Sequence, residues 1–398
     1  MGDAKRRMNK EEYGYSYAVF LDYSFPGENA LSNYIENFCY LLNKIDDKAQ
    51  ILVAGIRPHH EIIDTKKPTP FDVEYLDTHG KGNRVKTSSL RKAIQKLDSN
   101  CIVFMYSGKM ISVTTILLMA RLKRLKVVSY YAEWFTRDYY AAGMKGILHY
   151  WGVELNFRFL RTLPRNAITV STYIESFLLR KKVKVLRLPP MVDDDHIHKR
   201  KENRYTQKKL SFIYPGGDYK KDRIDNIVRA FSLLSDEDLE RVEVHFSGIK
   251  KEIIEQLVDK SVIDRLKDVL IVHPWLDKNE YIDLLNAMDY CMILRDDNRI
   301  TRANFPSKIP EVMNCGVIPI VSVVGDYTSL YLKDGVDSLF VNGSGAAEGK
   351  EVILRAMKIT HYERERMREN VEVCVKRHFK ISRWCNETRV FIERVKAE

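Results

Sequence analysis

Asn304-Phe-Pro-Ser-Lys-Ile-Pro-Glu311, with its continuation Val312-Met-Asn-Cys-Gly-Val-Ile-Pro-Ile-Val321, is the stretch whose reading decides the fold. An apolar run before it, Tyr290-Cys-Met-Ile-Leu294, is short enough for a buried strand. Arg295 to Ala303 reads as a polar loop between the two. A helix is expected to open near Pro306 and Ser307, with Ile309, Val312 and Met313 on its apolar face. Gly316 ends it, and Val317 to Val324 reads as the next strand. Strand, loop, helix and strand form the unit of a parallel α/β sheet. A helix start at the carboxyl end of a strand turns free N–H groups and its dipole toward an anion. Ser307 is expected to cap that start and Lys308 adds a full charge. Glu311, one turn further in, is placed to accept hydrogen bonds from sugar hydroxyls. These residue types suit a nucleotide sugar, with the diphosphate at the helix tip and the ribose on the carboxylate. The plain alternative is an ordinary helix start, since Pro and Ser open many helices.

Outward from this stretch the chain keeps the same alternation. Tyr17–Leu21 reads as a strand, Asp22–Asn29 as a turn-rich loop, Ala30–Leu42 as an amphipathic helix and Gln50–Gly55 as a strand. Only Gly27 stands where a dinucleotide fingerprint wants three glycines, which disfavours a nicotinamide enzyme. His59 and His60 are adjacent, so on an extended chain their side chains face opposite ways. Ser88–Leu97, Cys101–Tyr106, Ile111–Leu122 and Val127–Tyr131 read as helix, strand, helix and strand. The last ends in Ala132-Glu133-Trp134-Phe135, at the ligand-binding side of an α/β sheet. Glu133 lies amid aromatics, where burial would raise its pKa. It reads equally as an acid at a helix start, with Trp134 as packing. Ala167–Val170 is a strand, and Ser171 caps the helix Tyr173–Arg180.

Asp194 to Lys209 is charged and has no apolar period, so it reads as a linker. The expected division is 1–193, a linker at 194–209, 210–380, and a closing helix at 381–398. Leu210–Tyr214 opens the second half as a strand; Pro215–Arg223 is a loop and Ile224–Leu234 a helix. Val242–Ser247 and Val269–Val272 are strands, and Tyr281–Ala287 is a helix. Trp275 suits either stacking on a base or packing in the core. Tyr362–His378 and Ile381–Val395 are terminal helices, with Trp384 placed as an anchor.

A length of 398 residues suits two or three domains, and 45% hydrophobic residues suffice for their cores. No run of eighteen apolar residues suggests a membrane span, and the first residues lack the apolar core of a signal peptide. Six scattered cysteines show no metal or disulfide spacing, which suits a reduced, cytoplasmic setting. The net charge is +11, yet no zinc-finger, helix-turn-helix or ribonucleoprotein motif supports nucleic-acid binding. The cations cluster at Arg121-Leu-Lys-Arg-Leu-Lys126 and Arg180-Lys-Lys-Val-Lys184. Such clusters either lean on anionic lipid headgroups or are solvated helix faces.

The 290–341 stretch resembles the donor-binding segment of GT-B glycosyltransferases of the family 4 type, in the form found in bacterial polysaccharide enzymes. In that pattern a first Glu is followed by a Phe-Gly pair and, eight positions on, by a second Glu. Phe305 and Glu311 fall on the matching positions, while Ala303 stands where the first Glu belongs. The resemblance implies an α/β chain of GT-B fold, two Rossmann-like domains facing across a cleft, with the closing helix at 381–398 crossing back to the first domain. It implies transfer of a sugar from a nucleoside-diphosphate donor to a hydroxyl acceptor, a glycan or lipid-linked glycan, with retention. It places Gly216, Gly217 and Lys220 or Lys221 in a diphosphate-binding loop, although Gly217 and Asp222-Arg223 replace the usual Arg and Lys-Gly. It places Trp275 near the base, and Glu133 near the acceptor. The candidate donor-binding residues are Gly216, Gly217, Lys220, Lys221, Trp275, Arg295, Asn304, Phe305, Pro306, Ser307, Lys308 and Glu311; the candidate catalytic residues are Glu133 and Lys308. No metal ligand set is expected, since Asp193-Asp-Asp195 falls at the linker. No cofactor is expected besides the donor substrate. Partners would be the donor, the acceptor and an anionic membrane surface, with the enzyme peripheral at the inner face. A nucleotide-sugar epimerase of the same fold and a non-catalytic partner subunit are the alternative readings.

Overall fold

The computed structural model describes residues 14–27, 30–58, 69–80, 84–106, 108–194, 209–217 and 221–398. The His59-His60 pair, Lys220 and nearly all of the 194–209 linker lie outside the described residues. The chain divides into two compact units, Met1–Pro189 with Trp384–Glu398, and Pro190–Arg383.

The first unit runs β1 (Tyr17–Ser24), α1 (Ala30–Ile45), β2 (Ile51–Ile56), β3 (Asp72–Leu76), α2 (Thr87–Gln95), β4 (Ile102–Met105), α3 (Met110–Lys123), β5 (Lys126–Tyr131), α4 (Gly143–Arg158), β6 (Asn166–Thr169), α5 (Thr172–Arg180) and β7 (Lys184–Arg187). Its seven strands form one sheet in the order β3-β2-β1-β4-β5-β6-β7, with every pairing parallel. β2 and β4 are buried at every position, as continuous apolar runs covered by helices on both faces must be. β1 extends three residues beyond the expected strand and takes in Asp22. Asp22 accepts from the Ser112 hydroxyl at 2.6 Å and the Lys109 N–H at 3.0 Å, tying the start of α3 to the end of β1. β3 and α4 had no sequence counterpart. β3 is a half-exposed edge strand, and α4 buries Phe157 but has most of its large apolar side chains outside.

The second unit runs β8 (Leu210–Pro215), α6 (Ile224–Ser232), α7 (Asp236–Leu239), β9 (Val242–Ser247), α8 (Lys251–Leu257), α9 (Lys260–Arg265), β10 (Leu270–Val272), α10 (Lys278–Asn286), β11 (Tyr290–Ile293), α11 (Arg299–Ala303), α12 (Lys308–Asn314), β12 (Ile318–Ser322), β13 (Leu339–Val341), α13 (Ala346–Lys358) and α14 (His361–His378). Its six strands are ordered β10-β9-β8-β11-β12-β13, again with parallel pairings. The chain then re-enters the first unit through α15 (Cys385–Lys396), which packs on α1 and β7. Phe391, Ile392 and Val395 are its buried face. Trp384, expected as the anchor, is only partly buried at the start of that helix.

Both sheets reverse their strand order once, between β1 and β4 and between β8 and β11. The connections on either side of such a reversal diverge, which opens a crevice at the carboxyl ends of the two strands. In the second unit that point falls between Pro215 and Ile293, the ends of β8 and β11.

Candidate functional site

Three segments meet at this reversal. The loop after β8 brings Gly216, Gly217 and Asp222; the residue after Leu294 is Arg295; the start of α12 brings Lys308. Asp222 is 0% exposed and is the hub. Its Oδ1 accepts from Arg295 Nε at 2.6 Å, and its Oδ2 accepts from Lys308 Nζ at 2.6 Å and the Tyr214 hydroxyl at 2.8 Å. Lys308 Nζ also donates to the Tyr214 oxygen at 2.9 Å and stands 4.4 Å from the centre of its ring. Burial alone would raise the Asp222 carboxyl. The Arg295 and Lys308 cations, with the hydrogen bonds of Lys308 and Tyr214, outweigh it and hold Asp222 well below the usual carboxylate range.

Gly216 makes the cluster possible. Its φ is +137°, and a Cβ there would come within 2.3 Å of Lys308 Cε. The Lys308 stem therefore lies across bare backbone. Gly217 is equally confined, since a Cβ would approach the Gly248 carbonyl oxygen to 2.7 Å. Lys221 is partly exposed on the same loop.

Several candidates have surroundings that the sequence did not show. Arg295 is 4% exposed, and besides Asp222 it donates from Nη1 to Asn304 Oδ1 at 2.8 Å. It holds the Asp222 carboxylate and the Asn304 amide in place, so its guanidinium is a scaffold group. Phe305 is buried edge-on against Tyr327, Tyr331 and Phe379, so its ring is core packing. Ser307 does not cap with its side chain: its backbone is already helical, and the turn is closed by the Ile309 N–H on the Pro306 carbonyl at 3.0 Å. Pro306 itself is buried. α12 has seven residues, too short for a strong axial field, and the charge at its start is Lys308 itself. The segment 295–303 is not all loop, because Asn298 caps the short helix α11 in a reciprocal box with Thr301. Ala303 ends that helix at 0% exposure, so the position of the family's first Glu is core here.

Glu311 lies one turn inside α12 and is only partly exposed. The Tyr281 hydroxyl of α10 points at its Oε2 from 3.5 Å, at the limit of a hydrogen bond. Burial pushes the Glu311 carboxyl up to about 6, against weaker lowering by Tyr281, Lys278 and Lys308. Trp275 is 70% exposed beyond β10, which removes the core reading. Near it, His273 Nε2 and His245 Nδ1 are 2.9 Å apart with their rings stacked at 13°, and burial with the neighbouring His245 lowers the His273 pKa. Glu133 belongs to the other unit. It follows β5 and is only partly buried, while Trp134 is buried on Phe157 and donates from Nε1 to Glu154 at 2.8 Å.

The residue that sequence reasoning missed is Asp222. Its signal was an acid in a loop otherwise rich in Lys and Arg, at a position where the resembling pattern has a cation.

Residues 195–373 match the family described as Glycosyl transferases group 1. No curated protein matches the sequence at a significant level. Among solved structures, the chain is similar to sucrose-phosphate synthase from Thermosynechococcus elongatus, with a TM-score of 0.73 and 12% identity over 96% of this chain and 99% of that one. It is similar to Anabaena Alr3699/HepE in complex with UDP and glucose, with a TM-score of 0.65 and 13% identity over 96% and 100% of the two chains. It is similar also to WaaG, a glycosyltransferase involved in lipopolysaccharide biosynthesis, with a TM-score of 0.65 and 13% identity over 94% and 98%. The chain has the α/β GT-B fold of these structures, and its residues 195–373 are similar to the glycosyl transferases group 1 family.

Proposed function

We propose that the protein transfers a sugar from a nucleoside-diphosphate donor to a hydroxyl acceptor, with the donor held at the reversal of the second sheet; the GT-B fold and the similarity of residues 195–373 to glycosyl transferases group 1 support this reading. The observation that carries this reading is the Lys308 ammonium, laid over Gly216 and held by Asp222 and Tyr214 at the end of β8. A cation fixed beside exposed backbone at such a point is placed to meet the charge that develops on a leaving diphosphate. Glu311 lies three residues further along α12 and, with a pKa of about 6, is ionised at neutral pH, able to accept from ribose hydroxyls. Trp275 offers an exposed indole for the base. Glu133 is assigned to the acceptor side of the reaction. Side-chain cations serve in place of a divalent metal, so turnover is expected to persist in chelator, and the anomeric configuration is expected to be retained. The acceptor is a glycan or lipid-linked glycan presented at an anionic membrane surface.

A thermal-stability screen against UDP, GDP, ADP and their sugars tests the donor. A ligand at a hundredfold its dissociation constant adds about 2.7 kcal/mol. Lys308→Ala is expected to lower turnover about 10²- to 10³-fold, in line with loss of one transition-state donor. Full turnover in a folded Lys308→Ala enzyme, or no stabilisation by any of these ligands, overturns the assignment.

A further inference from the structure

α4 is built inside out. Met144, Leu148, Trp151 and Leu155 recur at helical spacing and are all exposed, at 69%, 65%, 63% and 52%, while Glu154 and Asn156 are buried. The buried polar groups are satisfied inward: Glu154 accepts from Trp134 and Arg158, and Asn156 donates to the Gly108 carbonyl. The outward stripe continues through Phe159 and Leu163, both more than half exposed. α3 packs beside α4 and adds Leu118 and Leu122, also exposed. Leu118 and Leu163 line a common hollow of ≈ 650 Å³ together with Arg121 and Lys126. An apolar surface of this extent is unusual on a monomer and marks a docking face.

The charge around the stripe says what docks. From Lys109 to Lys126 there are five cations and no acid, and from Gly143 to Arg165 the lone acid is the buried Glu154. Glu398, which reaches the hollow, is already paired with Lys184 and Asn166. The register of β5, β6 and β7 sets the turns before them side by side, and each turn carries a cation in the left-handed region: Arg124 (φ 58°), Arg165 (φ 63°) and Lys182 (φ 57°). These are the non-glycine residues with that conformation among the described residues, and all three are exposed. Lys181 Nζ lies 5.2 Å from the centre of the Phe159 ring, so the α5 cations adjoin the stripe. A second copy of the chain would set these cations against each other with no acid to receive them. A bilayer offers hydrocarbon to the stripe and phosphates to the rim.

We infer that the face made by α3, α4 and the turns before β5, β6 and β7 docks on an anionic lipid bilayer, the α4 stripe entering the interface and the basic turns meeting lipid phosphates. This deepens the proposed membrane-side acceptor and rests on that reading for its purpose alone. The test uses full-length protein without donor, so a wrong donor assignment leaves its outcome untouched. Phosphatidylcholine vesicles with and without phosphatidylglycerol are sedimented with the protein at low and high salt. Binding is expected to the anionic vesicles, with a blue shift of emission that Trp151→Phe removes. Leu148→Ser with Trp151→Ser is expected to lower partitioning roughly tenfold or more, as loss of two inserted apolar side chains requires. Arg124→Gly with Lys182→Gly keeps backbones that glycine accepts, so the fold is preserved while the preference for anionic over neutral vesicles falls. Undiminished binding by the Leu148/Trp151 variant overturns the inference, as does equal binding to neutral vesicles. Absence of vesicle binding, with light-scattering dimers that the same variant dissolves, assigns the face to a second copy instead.

Discussion

Asp222 organises the candidate site from a fully buried position. Its carboxylate is buried between a buried guanidinium and an ammonium, so removing its charge leaves Arg295 uncompensated in the interior. Asp222→Asn is expected to cost about 3–5 kcal/mol, the penalty for breaking a buried pair, read by denaturant unfolding. Because the folded-state pKa is depressed, this stabilisation is present above the ordinary carboxylate pKa and is lost as pH falls below it. The wild type should therefore lose stability in acid while Asp222→Asn keeps a flatter profile; parallel profiles would show that the pair contributes nothing. Glu311 has the opposite sign. Its pKa rises from 4.5 to about 6, so the folded state favours the protonated form. The cost of holding it ionised is absent below 4.5 and complete above about 6, and amounts to about 2 kcal/mol at 1.36 kcal/mol per unit. Glu311→Gln should remove that slope and raise stability at pH 7, while weakening donor binding. Wild-type donor affinity measured by calorimetry should fall as pH drops through 6, and a flat affinity would separate Glu311 from the ribose.

At the scale of elements, the site is a meeting of turns. The loop after β8 must cross under the Lys308 stem, and Gly216 permits this with φ +137° and no Cβ. Gly216→Ala meets both a forbidden backbone region and Lys308 Cε, so a loss greater than about 1 kcal/mol is expected. The displaced ammonium should also lower turnover, with donor affinity less affected. Stability and turnover both at wild-type level would mean that the loop relaxes freely and that Lys308 is not held as described. α11 and α12 were partly legible beforehand. The strand–helix–strand alternation of 290–324 stood in the apolar pattern, and Gly316 marked the end of α12 with φ +75°. The cap of α11 by Asn298 and the missing cap at Ser307 were not, because capping depends on backbone angles that residue type only biases.

At the scale of the molecule, the chain closes its first unit with its last helix. Phe391 is buried where α15 lies on α1 and β7, although it comes more than two hundred positions after Pro189, where the first segment of that unit ends. Phe391→Ala should cost about 3–5 kcal/mol, the usual toll of emptying an aromatic core site. The effect is expected in the first unit, while the proposed donor binding is expected to stabilise the second. Calorimetry should show Phe391→Ala lowering a transition that donor does not raise. A single transition moved by both changes would mean that the two units unfold as one.

The sequence by itself determined the alternation of apolar strands and amphipathic helices, and with it two parallel α/β sheets. That information is local: strand burial on both faces writes continuous apolar runs, as in Tyr290–Leu294, and turn glycines punctuate them. The place of Gly216 after a strand, and of Lys308 and Glu311 in the first turn of a helix, was also legible from residue type and position in the α/β unit. Only the tertiary structure decided what surrounds each one. It made Arg295 a buried scaffold, Phe305 a core ring, Trp275 an exposed indole and Asp222 the hub of the site. It also turned the apolar stripe of α4 outward, which the 3.6-residue period alone cannot orient. The physical reason is the same in each case: burial and pairing arise between segments distant along the chain, and no local pattern records which charge or which face will meet a partner.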